Sequence, residues 1–69
     1  MSPHPLMEIQ LWFMDPIAPP EIVTRHWYHV PRIGDEIEVA VMTGGFSNVL
    51  SGTVKSVLWL DGDVVKVVL

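Results

Sequence analysis

The stretch Glu36-Ile37-Glu38-Val39-Ala40-Val41 alternates branched aliphatic side chains with acidic or small ones, and this period of two is the strongest constraint in the chain. A strand sends successive side chains to opposite faces, so Ile37, Val39 and Val41 share one face and Glu36, Glu38 and Ala40 the other. Such a strand lies with one face on a core and one in water. Ahead of it, Pro31-Arg32-Ile33-Gly34-Asp35 has the composition of a turn. The strand is predicted over Glu36 to Met42.

The same reading gives four further strands. In Glu8 to Met14, Ile9, Leu11 and Phe13 share one face, while Glu8, Gln10, Trp12 and Met14 share the other. Asp15-Pro16 ends this strand, and the loop that follows is stiffened by Pro19 and Pro20. Ile22 to Val30 is rich in β-branched and aromatic residues. Its more core-like face is Ile22, Thr24, His26, Tyr28 and Val30; Val23, Arg25, Trp27 and His29 form the other, and both are half apolar. Thr43 to Asn48 is expected to be a flexible hairpin loop with Phe46 near its tip. Val49 to Leu60 reads as one long strand, in which Val54 and Val57 face inward together only if a bulge falls near Lys55-Ser56. Asp61-Gly62 then marks a tight hairpin turn before the last strand, Val64 to Leu69. No helical period of useful length occurs. Five strands joined mostly by short turns predict an all-β antiparallel meander closing into a small barrel over residues 8–69, preceded by a flexible tail over 1–7.

A chain of 69 residues allows one domain, and a domain this small buries only about 60% of its unfolded surface. The absence of cysteine excludes disulfides and thiolate zinc sites. Hydrophobic residues make up 49% of the chain and charged ones only 17%, more apolar side chain than so small an interior can hide. The surplus is expected at the surface as an interface with a protein partner or with another copy of the chain. Net charge is −4, and Arg25, Arg32, Lys55 and Lys66 are too few and scattered to track a phosphate backbone. No apolar run is long enough for a membrane span. Met-Ser-Pro-His-Pro-Leu lacks a basic region followed by an apolar core, so no signal peptide is read and a cytoplasmic location is expected.

Pro31-Arg32-Ile33-Gly34-Asp35-Glu36-Ile37-Glu38-Val39, followed by Gly52-Thr53-Val54 and Val57-Leu58-Trp59, resembles the SH3-like small barrels, which open a strand with Pro-x-x-Gly-Asp-x-Val and continue with Gly-x-Val. The chain is also similar to short uncharacterised bacterial and phage proteins of that pattern. The resemblance covers residues 8–69 and implies a five-stranded SH3-like barrel. It does not imply a function, since the Gly-Asp signal is turn chemistry shared by many such barrels.

Chemical motifs are few. His26 and His29 are an odd number of positions apart and point to opposite faces of a regular strand, so they cannot share a metal. Pro3 removes the amide that an amino-terminal copper site at His4 would need. Glu36 and Glu38 share a face that reads as solvated, and Asp61 and Asp63 read as turn residues. The serines lack a nucleophile elbow, and Gly44-Gly45 lacks the Lys-Ser/Thr of a phosphate loop. The chain is therefore read as no enzyme, with no catalytic residue, metal or cofactor.

The aromatics carry more signal. If Ile9, Leu11 and Phe13 face inward, Trp12 and Met14 face outward; if Tyr28 faces inward, Trp27 faces outward; Trp59 is expected in the core. Phe46 is raised on a Gly-Gly loop, and Val64 and Val68 belong to a last strand that only Lys66 guards against edge pairing. Trp12, Met14, Trp27, Phe46, Val64 and Val68 are thus the candidate partner-binding residues, because tryptophans and large apolar anchors dominate interface energetics. A protein-interaction module is the leading reading, with a phage or mobile-element inhibitor as a narrower version. A nucleic-acid-binding barrel with stacking aromatics is the alternative, and a ligand site formed only between subunits is a third.

Overall fold

The computed structural model describes residues 6–69, with Thr43 through its backbone alone. Residues 1–5, with most of the expected tail and His4, lie outside the described residues. Six strands form: β1 (Met7–Phe13), β2 (Glu21–Trp27), β3 (Glu36–Thr43), β4 (Phe46–Thr53), β5 (Ser56–Asp61) and β6 (Val64–Val68). There is no helix among the described residues, and so none long and apolar enough to cross a membrane.

The all-β expectation holds, but the expected five-stranded antiparallel meander does not describe this arrangement. The chain forms three successive hairpins, β1–β2, β3–β4 and β5–β6. The first and third fuse into a four-stranded sheet of order β2-β1-β6-β5, while β3 and β4 form a separate ribbon. The fusion is a parallel pairing, Glu8 opposite Val64 through Trp12 opposite Val68. Parallel neighbours need a long crossover, and here four intervening strands supply it. The two sheets stay open and do not close into a barrel.

One core fills the space between the layers. Ile9 and Leu11 from β1, Val23 from β2, and Val65 and Val67 from β6 face Ile37 and Val39 from the ribbon, with Val54 and Leu69 closing one end. Ile37 and Val39 are buried, as their alternation predicts, and Glu36 and Glu38 are exposed. The expected long strand 49–60 breaks at Val54-Lys55 into β4 and β5. Val54 turns inward there, its N–H bonded to the Asp35 carbonyl at 2.8 Å, while the Lys55 N–H bonds to the Val68 carbonyl at 2.7 Å. The break does what a bulge at that point was expected to do, because both Val54 and Val57 pack against the core.

Two local expectations are corrected. Residues 43–48 are not a flexible loop. Gly44 and Gly45 take φ of 58° and 85°, a left-handed pair that makes a tight two-residue turn, so Phe46 to Asn48 already belong to β4. The facing of β2 is also inverted. Leu11 pairs with Val23, and Met7 with Trp27, so Val23, Arg25 and Trp27 face the core, while Ile22 and Tyr28 are exposed. With both faces half apolar, pairing with β1 decides which one is buried, and that pairing is nonlocal.

Candidate interaction surface

On the outer face of the four-stranded sheet, cross-strand neighbours bring Ile22, Trp12 and Val68 into one row. Trp12 and Val68 are half-buried, and Val64 lies on the same face. Side chains along β1 orient the indole: Gln10 Nε2 donates to Glu8 Oε2 at 3.4 Å, and Trp12 Nε1 donates to Gln10 Oε1 at 3.3 Å. Lys66 places its ammonium 4.0 Å from the centroid of the Trp12 ring, a cation–π contact that covers part of the expected anchor. Three of the six candidate residues, Trp12, Val64 and Val68, therefore share one face. β6 is an interior strand paired with β1 and β5, so the last strand offers no free edge.

Trp27 stands elsewhere. It packs against the core from the end of β2 and lines a cleft of about 720 Å³ with Leu6, Tyr28, Val30, Pro31 and Ile37. Asp35, from the turn before β3, also lines it. There Arg32 N–H donates to the Asp35 carboxylate at 2.9 Å, Asp35 N–H donates to the Arg32 carbonyl at 3.0 Å, and Gly34 takes a φ of 96°. Asp35 is thus tied up as a turn residue. His26 and His29 also border this cleft. Among the described residues, no three His, Cys, Asp or Glu side chains come together where they could hold a metal ion. Met14 is exposed beyond the end of β1, and Phe46 is 75% exposed at the ribbon tip. The remaining three candidates thus occupy separate places and do not join the Trp12 row.

Charge is used to pin loops and layers. The Asp15 carboxylate accepts the backbone N–H groups of Ile17 at 2.8 Å and Ala18 at 3.1 Å, and these bonds hold its pKa below the ordinary value. Arg25 reaches from β2 to the ribbon, donating to the Ala40 carbonyl at 2.9 Å and to the Thr24 carbonyl at 3.0 Å.

A further apolar exposure is one that sequence reasoning missed. On β5, Leu58, Trp59 and Leu60 are all exposed; Trp59, expected in the core, is 56% exposed. Trp59 does face the inner side, opposite Val65, but β5 is the outermost strand there and the ribbon does not reach over it. The signal was the run Val57-Leu58-Trp59-Leu60 itself, apolar at both parities just before a turn. Met42 and Val49 are likewise exposed on the ribbon. No protein-family model matches the chain, and neither a curated protein nor a solved structure is detectably similar to it.

Proposed function

We propose that this chain is a non-catalytic protein-interaction module that covers its exposed apolar surface with another polypeptide, including a second copy of itself. The observation that carries this reading is a balance: twelve large hydrophobic side chains stand exposed among the described residues, against nine in the core. Scattered apolar side chains are ordinary on any surface. Here, however, three lie on the edge strand β5, with Trp59 on its inner face and Leu58 on the other, and Met42 and Val49 stand together on the outer face of the ribbon. The narrower versions, an SH3-like barrel module and an accessory or inhibitor protein of phage or mobile-element type, rest on the Pro31–Asp35 and Gly52–Val54 resemblance alone.

The use of the cations favours protein over nucleic acid as the partner. Nucleic-acid affinity comes chiefly from cations on phosphates, yet Arg25 is spent on two backbone carbonyls and Lys66 lies over Trp12. The test is sedimentation velocity over a range of concentrations, paired with pull-down by tagged protein, for wild type, Phe46→Ala and Trp59→Ala. Self-association or specific capture that weakens in at least one folded variant is expected. A strict monomer that captures no protein, or binding unchanged in both variants, would overturn the reading. Tight, salt-sensitive binding of single-stranded nucleic acid would replace it.

A further inference from the structure

The β3–β4 ribbon is a two-stranded sheet, so each of its strands has one free edge. The edge of β3 is engaged at Ala40, whose carbonyl accepts from Arg25, and Glu36 and Glu38 alternate along that strand. The edge of β4 has none of the devices that keep an edge from pairing. Phe46–Thr53 carries no charge and no proline, and its register with β3 is unbroken for its full length. The other free edges differ: β2 carries Glu21 and Arg25, and β5 has a register irregularity between Trp59 and Asp61.

The Arg25 bond also sets the phase of the ladder. In an antiparallel pair, directly opposed residues either exchange both backbone hydrogen bonds or turn both groups away from each other. The Ala40 carbonyl turns to Arg25, so Ala40 and its partner Val49 are of the second kind. The N–H and C=O of Val49 therefore point to the free edge of β4, as do those of Ser47 and Ser51.

We propose that β4 pairs antiparallel with β4 of a second copy about a two-fold axis at Val49, joining the two ribbons into one four-stranded sheet. This inference rests on the interaction-module reading and names its partner. Self-complementarity selects the second copy and the register. Centring on Val49 sets Ser47 opposite Ser51 of the second copy, and matches outward-pointing backbone groups on both strands. It also sets the exposed Phe46 opposite Gly52 of the second copy, on the face where Leu69 walls that glycine; a Cβ built on Gly52 would lie 3.1 Å from Leu69 Cβ. The Phe46 ring thus comes up against Leu69, which already fills the space over Gly52, and an exposed aromatic gains an apolar neighbour there. Charge agrees, because Glu36 and Glu38 stand opposite Thr53 and Ser51 at the ribbon base. The two-fold axis sends the two bases to opposite ends, so the acids of the copies stay apart and an uncharged stripe of Ala40 and Val49 side chains crosses the middle. An isologous interface of this kind closes at two copies.

The test compares wild type with Val49→Lys, whose new charge stands on an already exposed outward face, by sedimentation over a concentration series with far-UV circular dichroism as the fold control. Wild type is expected to reach twice the 7.8 kDa monomer mass, and Val49→Lys to remain at the monomer mass with an unchanged spectrum. The chain has no cysteine, so Val49→Cys under oxidised glutathione adds an independent readout. It should cross-link about tenfold faster than Leu58→Cys, because the two-fold axis holds its thiols at the spacing of a directly opposed pair. Should Val49→Lys fail to fold, the cysteine comparison decides alone. A dimer that persists in folded Val49→Lys, or equal cross-linking of the two cysteine variants, overturns this edge and leaves self-association standing. A monomeric wild type that still captures another protein overturns the second copy and leaves the interaction module standing.

Discussion

Gly52→Ala is expected to destabilise the protein, against the usual sign for a glycine inside a strand. Gly52 lies within β4 and is not among the glycines with positive φ, so alanine meets no backbone strain there. Replacing an interior glycine would by itself gain about 0.5–1 kcal/mol. The new methyl, however, would stand 3.1 Å from Leu69 Cβ, where carbon atoms settle at about 3.5–4.0 Å. Leu69 is not free to retreat: its N–H bonds to the Trp12 carbonyl at 2.9 Å, its carbonyl accepts from Met14 at 3.5 Å, and its side chain is buried. Overpacking of this kind costs about 1–3 kcal/mol, so the net loss should be about 1 kcal/mol. A chain of 69 residues has about 3–10 kcal/mol of stability to lose from, and the Tm should fall by about 4–8 °C. Urea unfolding followed by tryptophan fluorescence at fixed protein concentration measures this directly. Leu69→Ala alone should cost about 2–3 kcal/mol. The double variant should be close to additive, because Leu69→Ala keeps the Cβ that the new methyl meets and removes only atoms at ordinary contact distance. A Gly52→Ala protein that gains the full glycine term would refute the clash.

Three further outcomes follow from single contacts. The Ile17 N–H, and then that of Ala18, hold the Asp15 carboxyl below its ordinary value of 3.8. With the folded pKa depressed, this stabilisation is present above the unfolded value and is lost as pH falls through the folded one. A carboxyl-carbon NMR titration should therefore give Asp15 a pKa below 3.8, and a value at or above it contradicts the turn. Lys66→Met should keep the stem and lose the cation over Trp12. A coupling of about 0.5–1 kcal/mol is expected in a double-variant cycle with Trp12→Leu, and none if the contact is only proximity. Leu11→Ala, at a fully buried site, should cost about 3 kcal/mol. Met42→Ala, exposed on the ribbon, should stay within about 0.5 kcal/mol, and comparable losses from the two would place the core wrongly.

Local period and turn chemistry carried much of this fold into view. Ile9, Leu11, Ile37 and Val39 are buried where alternation puts them, and the first, third and last strands lie within a residue or two of their expected bounds. Pairing was not legible in the same way. The facing of β2 depends on Leu11 meeting Val23, and the apolar two-sidedness of β6 reflects an interior strand held between β1 and β5. Interior strands and partner-seeking edge strands read alike in sequence, because each needs apolar side chains on both faces. That ambiguity is why Val64 and Val68 suggested an exposed edge while Leu58, Trp59 and Leu60, on the real one, did not. Trp27 and Tyr28 exchanged roles for the related reason that one residue of register flips every side chain.

Burial fades along the ribbon from base to tip, and this gradient links the fold to the proposed pairing. On the ribbon's inner face Ile37 and Val39 are buried, Val41 is half-buried and Phe46 is exposed. The four-stranded sheet therefore supports only the base of β3 and β4, with Arg25 bonding the ribbon at Ala40. A two-stranded ribbon without a covered face is marginal in water, so its outer half gains little from the core that holds the rest. Pairing through β4 would remedy this with groups already in place, since the outward backbone of Ser47, Val49 and Ser51 gains partners and the ribbon becomes four strands wide. The same pairing brings the weakly supported tip of each copy against the well-packed base of the other, so the least stable part of the fold is also the part with most to gain from association.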